Sequence, residues 1–396
     1  PAGMMAAAAA APMGSVLLLE RNRDLGRKLR ITGKGRCNVC NDCAPEEVLK
    51  NVPTGGRFLY SSVWGFPPAA VKEFVEFIGV PLKTERGNRV FPVSDRAQDV
   101  VSALGDWVSR QGVEVRRARA RELLLRDGRI AGVRTDSGTY EARRVILATG
   151  GLSYPATGST GDGYRMAEAA GHTVTPCSGS LVPLEVEGGC RTLSGLSLRN
   201  TALTLWGSGK KPVYRDFGEL LFMDYGLSGP TVLSASAHMD GMGGPYAVEL
   251  DLKPALVDGK LDARLLRDFA ERKNETVYTG LRGLLPAQLI PLVLDRAEIP
   301  ASTLIHDVTK GQRREILHQL KHLRFSITGK RPVAEAIVTH GGVKLGEVNP
   351  ATMESKLCPG LYFAGEILDC DAYTGGFNLQ IAWSTAYAAG TSCSNS

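Results

Sequence analysis

The chain has 396 residues, 43% of them apolar, with 46 glycines, 21 prolines and a formal net charge of +6. That length predicts two or three domains, and the composition excludes a coiled coil and a disordered chain. Eight cysteines in so long a chain exclude a disulfide scaffold, and no apolar run reaches membrane-spanning length, so the chain reads as soluble and cytoplasmic.

Pro1-Ala2-Gly3 leads into the alanine-rich run Ala6 to Ala11, which predicts a helix from about Ala2 to Ala11. Ser15 to Leu19 reads as a strand that ends in Glu20. This is the second half of a dinucleotide-binding fingerprint, with Gly3 as its third glycine and Glu20 as its acid. The first strand and the first two glycines are then expected upstream of residue 1. Phosphates sit at such a helix N-terminus because its free N–H groups and dipole favour negative charge. Glu20 would accept from the ribose hydroxyls, and its charge disfavours a 2′-phosphate, so FAD or NAD is favoured over NADP. A secretory signal peptide is the alternative. It would need a basic segment before the run, whereas Glu20-Arg21-Asn22-Arg23 follows it.

Ala69 to Gly79 and Ala97 to Gln111 read as amphipathic helices. Val113 to Val145 reads as short strands with turns at Asp127-Gly128 and Ser137-Gly138. The basic run Arg116 to Arg121 reads as a solvated or adenine-side face, with no nucleic-acid or membrane partner expected. Val145 to Ala148 is a buried strand that stops at Thr149-Gly150-Gly151, and Tyr164 to Ala170 is helical. Near residue 190 the pattern changes. Leu198 to Trp206, Val213 to Phe222 and Tyr246 to Leu252 alternate as antiparallel strands do, and Leu261 to Arg272, Pro286 to Arg296 and Gln312 to His322 look helical. Strand character returns at Arg324 to Thr328, Ala334 to Thr339 and Gly360 to Gly365, and a helix from Gln380 to Ala389 closes the chain. The pattern is an α/β domain interrupted by an insert of strands and helices.

The strongest local signal is a buried strand ending in Gly365-Glu366, followed by Gly375-Gly376 and a helix. Such a helix aims its N–H groups at a ligand, and a flavin gains negative charge at N1 and O2 on reduction. With Glu20 and Ala148-Thr149-Gly150 this becomes a specific flavin signature. Further segments are Thr32 to Asn38, Gly87 to Pro92, Thr157 to Gly163, Gly226 to Pro230, Thr339 to Val343 and Gly360 to Gln380. In this order they resemble the BaiN-like, or YhiN-like, FAD-dependent oxidoreductases (the aminoacetone oxidase family) of the glutathione-reductase-related superfamily.

The resemblance spans nearly the whole chain. It implies a Rossmann-like FAD-binding domain from both chain ends, residues 1–190 and 342–396. The insert, 191–341, would hold a β-barrel from 191–252 and 323–341 and a helical part from 253–322. It also implies FAD contacts at Glu20, Arg27, Lys28, Gly33, Arg36, Cys37, Asn38, Ala120, Gly150, Gly365, Glu366, Gly376, Phe377, Asn378 and Leu379. Gly3, Ala148 and Thr149 join them from the fingerprint and strand-end readings. The family usually has Thr where Cys40 and Met223 stand.

Other chemistry-bearing residues leave alternatives open. Cys37-x-x-Cys40-x-x-Cys43 has the spacing of three iron–sulfur ligands but no fourth cysteine with a proline nearby. Cys37 and Cys40 could form a redox dithiol beside the flavin, or Cys37 could simply pack there. His318 and His322, one helical turn apart without a carboxylate, read as a surface pair, so no metal is expected. Tyr154, His340 and Cys37 are the catalytic candidates, the first two as proton donors. The Gly158-x-x-Gly161-x-Gly163 loop reads as flavin-domain architecture. The expected activity is hydride transfer through flavin N5 to a small organic substrate, by enone-type C=C reduction or amine oxidation, with NAD(P)H as donor. A dithiol–disulfide oxidoreductase and a non-catalytic flavin-binding protein are the alternatives. Oligomeric state is not encoded in any motif.

Overall fold

The protein is described by a computed structural model covering residues 1–239 and 245–394. It divides into two units, residues 1–180 with the segment from Pro332 onward, and residues 181–331.

In the first unit Leu17–Glu20 pairs in parallel with Glu114–Arg117, Glu20 lying opposite Arg117. Val145–Leu147 pairs in parallel with Leu361–Phe363. Parallel strands need long crossovers, and the second pair joins segments from the two ends of the chain. Leu361, Tyr362 and Phe363 are fully buried, as expected for a strand covered on both faces. A three-stranded antiparallel sheet, Ala120–Arg126, Arg129–Thr135 and Gly138–Glu141, lies beyond. Its first turn is Asp127-Gly128, both at positive φ, the backbone that a two-residue hairpin requires.

The helix Ala2–Ala10 packs on the closing helix Phe377–Ser394. Small side chains permit the close crossing: a Cβ at Gly390 would stand 2.5 Å from the Ala6 carbonyl oxygen. Trp383, buried on the same helix, donates its indole N–H to the Val39 carbonyl at 3.0 Å.

The second unit is a closed six-stranded barrel, in the order Leu184–Val186, Gly226–Ser228, Pro212–Met223, Ser197–Trp206, Tyr246–Asp251, Leu323–Lys330. Closure removes the exposed edges of an open sheet. Leu323, Phe325 and Ile327 alternate inward. Helices Asp258–Glu271, Val277–Leu281, Ile290–Arg296 and Lys310–Lys321 form the helical part, the last started by a Thr309–Gln312 capping box.

The boundaries fall at 180/181 and 331/332, not at 190/191 and 341/342 as the sequence suggested. Leu184–Val186 is already a barrel strand. The strand expected at Ala334 to Thr339 is only Val338–His340, and it pairs with Ser178–Ser180 in the first unit. Val333–Glu335, following Pro332, forms a 3₁₀ turn instead. Two helices also differ in extent: Pro286 to Leu289 precede the Ile290–Arg296 helix, and the closing helix starts at Phe377. Among the described residues no helix is long and apolar enough to cross a membrane.

Candidate functional site

A cavity of about 1560 Å³ lies within the first unit. Leu17–Leu19 and Val145–Leu147 wall its apolar part, and polar groups collect where those strands end. Gly3, Glu20, Arg27, Lys28, Ala120, Ala148, Thr149, Gly150, Glu366, Asn378 and Leu379 all line it.

Glu20 ends its strand with a part-buried carboxylate. Its Oε1 accepts from the backbone N and the Nδ2 of Asn22, both at 2.8 Å, and Oε2 has no partner among the described residues. One oxygen is therefore fixed and the other can accept a ribose hydroxyl, which is the fit an adenine dinucleotide requires. Arg27 reaches the same turn, donating to Asn22 Oδ1 at 3.1 Å. Asp162, at the start of the helix Asp162–Ala169, binds Arg119 at 2.8 Å and Arg21 at 3.2 Å, which ties the 157–162 loop to the Glu20 turn. The glycines of that loop serve packing: a Cβ at Gly163 would stand 2.0 Å from Thr149 Oγ1.

A second polar cluster surrounds Glu366. Its Oε2 pairs with Lys28 Nζ. Its Oε1 accepts from Ser153 Oγ at 2.7 Å, from the Thr339 backbone N at 2.9 Å and from Thr339 Oγ1 at 3.0 Å. Lys28 Nζ also donates to Ser153 Oγ at 2.6 Å, and Thr339 Oγ1 accepts from the backbone N of Leu152 at 2.7 Å. The carboxylate thus joins the Lys28 helix, the 150–153 loop and the Val338–His340 strand at the cavity wall.

The closing helix brings its first turn to the cavity through Asn378 and Leu379. The Asn378 amide is used internally, accepting from Ala372 N at 2.9 Å and donating to Ala372 O at 2.7 Å. The helix N–H groups, not this side chain, are what an anionic or electron-rich ligand would meet. Gly376, at φ +102, lets the helix start touch the Cys40 backbone, where a Cβ would be 2.4 Å from the carbonyl carbon and oxygen. Asn38 closes that contact, accepting from Gly376 N at 2.9 Å and donating to Cys40 O at 3.1 Å.

Gly33, Arg36, Cys37, Asn38, Gly365, Gly376 and Phe377 do not line the cavity. For Arg36, which the resemblance placed among the cofactor contacts, the guanidinium binds Glu85 and Asp95 and lies 4.0 Å over the Phe91 ring. Gly365, at φ +76, brings the strand end against the first helix, where a Cβ would stand 2.9 Å from that of Ala2. Gly33, Asn38, Gly376 and Phe377 shape the loop and helix start behind the cavity.

Cys37 and Cys40 are fully buried and Cys43 is half-buried. Burial pushes the Cys37 thiol up to about 12 and Cys43 to about 11, and pushes Cys40 up as well. A dithiol mechanism needs an accessible, acidified thiolate, and this environment does the reverse. Iodoacetamide applied to the native protein near neutral pH is expected to leave Cys37 and Cys40 unmodified by peptide mass mapping. Rapid alkylation of either before unfolding would restore the dithiol mechanism. No group of three metal-ligating side chains occurs among the described residues. His318 and His322 have ring centroids 5.0 Å apart, and His322 Nδ1 lies 3.3 Å from Glu249 Oε1 on the surface.

Neither Tyr154 nor His340 lines the cavity. Tyr154 sits at φ +51 and is 37% exposed. His340 has Nδ1 3.0 Å from Oδ1 of the buried Asp371. Ser153, Thr339, Asn22 and Asp371 went unassigned in the sequence reading. Thr339 and Asp371 stand in quoted motifs, and the other two carry no local pattern that would have marked them.

The chain matches the HI0933-like protein Rossmann domain over residues 1–392. It is 31% identical to the 3-dehydro-bile acid delta(4,6)-reductase of Clostridium scindens, over 98% of this chain and 95% of that protein. It is 30% identical to the ribosomal RNA dihydrouridine synthase of Haemophilus influenzae, over 99% of this chain and 96% of that one. Its fold is similar to that of a 3-ketosteroid-delta4-(5alpha)-dehydrogenase from Rhodococcus jostii RHA1, with TM-score 0.51 at 16% identity, covering 100% of this chain and 95% of that chain. The Glu20 strand end, the parallel strands built from both chain ends and the whole-length match together assign the chain to the HI0933-like Rossmann family, whose members have an FAD-binding Rossmann-type fold and are FAD-dependent oxidoreductases.

Proposed function

We propose that the protein reduces a C=C bond conjugated to a carbonyl group, with NAD(P)H as the electron donor. The observation that carries this is the convergence on one cavity of the Glu20 carboxylate, the Lys28–Glu366 cluster and the first turn of an 18-residue helix. Bound there, FAD would supply hydride at N5. The chain's own residues bind and orient it: Glu20 at the ribose, the helix start at the electron-rich end of the ring, and Lys28 with Glu366 along the wall between. The bile-acid reductase likeness supports a steroid-like enone as substrate.

A second substrate is favoured by one observation. Arg117, on the strand paired with Leu17–Glu20, and Arg121, Arg126 and Arg129, on the antiparallel pair Ala120–Arg126 and Arg129–Thr135, are exposed without a carboxylate partner among the described residues. Uracil in RNA also carries a C=C bond conjugated to a carbonyl, and exposed guanidiniums without carboxylate partners suit a polyanion. The chemistry is the same and only the carrier differs.

Anaerobic titration of the flavin-loaded protein with NADPH and with NADH is expected to bleach the flavin absorbance with at least one of them. A 3-oxo-Δ4 steroid acid should then restore the colour, and a simple amine should not. If neither nucleotide bleaches the flavin, the reading fails. If colour returns only with structured RNA, the substrate is the uracil ring.

A further inference from the structure

We infer that Asn22 is the positioning residue through which Glu20 selects the adenosine ribose. The inference rests on the reading of Glu20 as the ribose acid of the FAD site, and it does not depend on which substrate the flavin reduces.

Three arginines stand near the Glu20 turn, and each is engaged by another group. Arg21 binds Asp162 at 3.2 Å and the Thr160 hydroxyl, Arg119 binds Asp162 at 2.8 Å, and Arg27 donates to Asn22 Oδ1 at 3.1 Å. The Glu20 carboxylate is fixed by Asn22 instead. Its Oε1 accepts two hydrogen bonds, from the backbone N–H and the side-chain amide of that one residue, each at 2.8 Å. Two donors on one oxygen set the plane of the carboxylate, so Oε2 keeps one position at the cavity. The rotamer entropy of a long side chain is then lost on folding rather than on ligand binding, which favours affinity.

The Asn22 amide has one usable orientation. Its nitrogen carries two hydrogens, and one goes to Glu20 Oε1 and the other to the Thr157 carbonyl at 3.0 Å. Turning the amide over would set its oxygen against two acceptors and its nitrogen against the Arg27 guanidinium. Thr157 ends the 3₁₀ turn Pro155–Thr157, where its backbone N–H and its hydroxyl both donate to the Tyr154 carbonyl, at 2.8 and 2.7 Å. Gly158 follows at φ +112, and a Cβ there would stand 2.7 Å from Asn22 Nδ2. The glycine leaves the space that the amide occupies. Asn22, Thr157 and Gly158 line the cavity together with Glu20.

Asn22 therefore works at both ends of its amide. The NH₂ group holds the carboxylate, and the carbonyl engages Arg27, which keeps that guanidinium off Glu20. A guanidinium on Oε2 would form a charge-assisted pair and consume the oxygen that faces the ligand. The chemistry this arrangement takes is a nucleotide whose ribose hydroxyls are free to donate. A phosphate ester on that ribose would meet the Glu20 charge while each nearby arginine is already engaged.

The test uses the flavin-loaded, full-length chain, exchanged against an equimolar mixture of FAD and an analogue whose adenosine lacks its 2′-hydroxyl, and a second whose adenosine lacks its 3′-hydroxyl. Chromatography of the bound flavins reads the selectivity directly. Wild type is expected to retain FAD about tenfold over at least one analogue, the effect of one hydrogen bond to a charged group. Asn22→Ala and Glu20→Ala should each bring that ratio close to one, and Asn22→Ala should change nothing further in the Glu20→Ala background. Asn22→Asp keeps the shape but turns an oxygen toward Glu20 Oε1, so FAD release on dilution should rank wild type slowest, then Asn22→Ala, then Asn22→Asp. A role in filling space alone would place Asn22→Asp next to wild type, and that order would overturn the inference. So would unchanged selectivity in Asn22→Ala, or, if that variant does not fold, in Asn22→Asp. Full selectivity in Glu20→Ala, or none in wild type, would instead overturn the reading of Glu20 as the ribose acid.

Discussion

Gly376→Ala is expected to lower stability by about 2–6 kcal/mol and to leave the purified protein with little flavin. Two costs add. The backbone at φ +102 is strained for any residue with a Cβ. The added carbon would also lie 2.4 Å from the Cys40 carbonyl carbon and oxygen, and 2.9 Å from Asn41 N. Those atoms cannot give way cheaply, because Cys40–Asn41 is itself a strand, with Cys40 paired to Val90. The helix start would have to move, and its first turn lines the cavity through Asn378 and Leu379. Denaturant melts and the flavin-to-protein absorbance ratio measure both effects. Gly65→Ala is the control: it ends the helix Tyr60–Gly65 with open space around the site, and little change is expected. Equal melts for the Gly376→Ala variant and wild type would show that the helix start tolerates a side chain.

Glu366→Ala should cost about 2–3 kcal/mol and also weaken flavin binding. Lys28 and Glu366 have side-chain exposures of 19% and 17%, so removing the carboxylate leaves a mostly buried ammonium. The Thr339 N–H and the Ser153 hydroxyl lose their acceptor as well. The residual exposure places the cost below that of a fully buried pair. Lys28→Met in the Glu366→Ala background should recover part of the stability without recovering the flavin. Glu366→Gln, which keeps an acceptor for Thr339, should lose less than Glu366→Ala. If Glu366→Ala matches wild type in both melt and flavin content, the cluster does not organise the cavity wall.

Both substitutions act where distant segments meet, and that is where reading the sequence stopped. Glu20 was legible because a carboxylate closing an apolar run after a glycine-started helix is a local pattern. Gly375-Gly376 before a helix was legible for the same reason. Barrel strands such as Ser197–Trp206 announced themselves by alternation. Arg36 was read as a cofactor contact because its neighbours in the chain matched a motif, while its carboxylate partners, Glu85 and Asp95, lie 49 and 59 residues away and no local pattern names them. The boundary near 331 was misplaced because Val338–His340 has strand character and nothing local names its partner, Ser178–Ser180. Cys37 and Cys40 show the same limit for chemistry: spacing suggested a dithiol, and burial decided against an accessible thiolate.

The sequence by itself determined the elements of this protein, its Rossmann half-fingerprint and the glycines at which the backbone must turn, since periodicity and backbone stereochemistry act over a few residues. Only the tertiary structure decided that Lys28 meets Glu366 across 338 positions, that Leu152 donates to Thr339 across 187, and that Asp371 stands beneath His340. Those pairings depend on which surfaces the buried core brings together, and a carboxylate has no partner until folding supplies one.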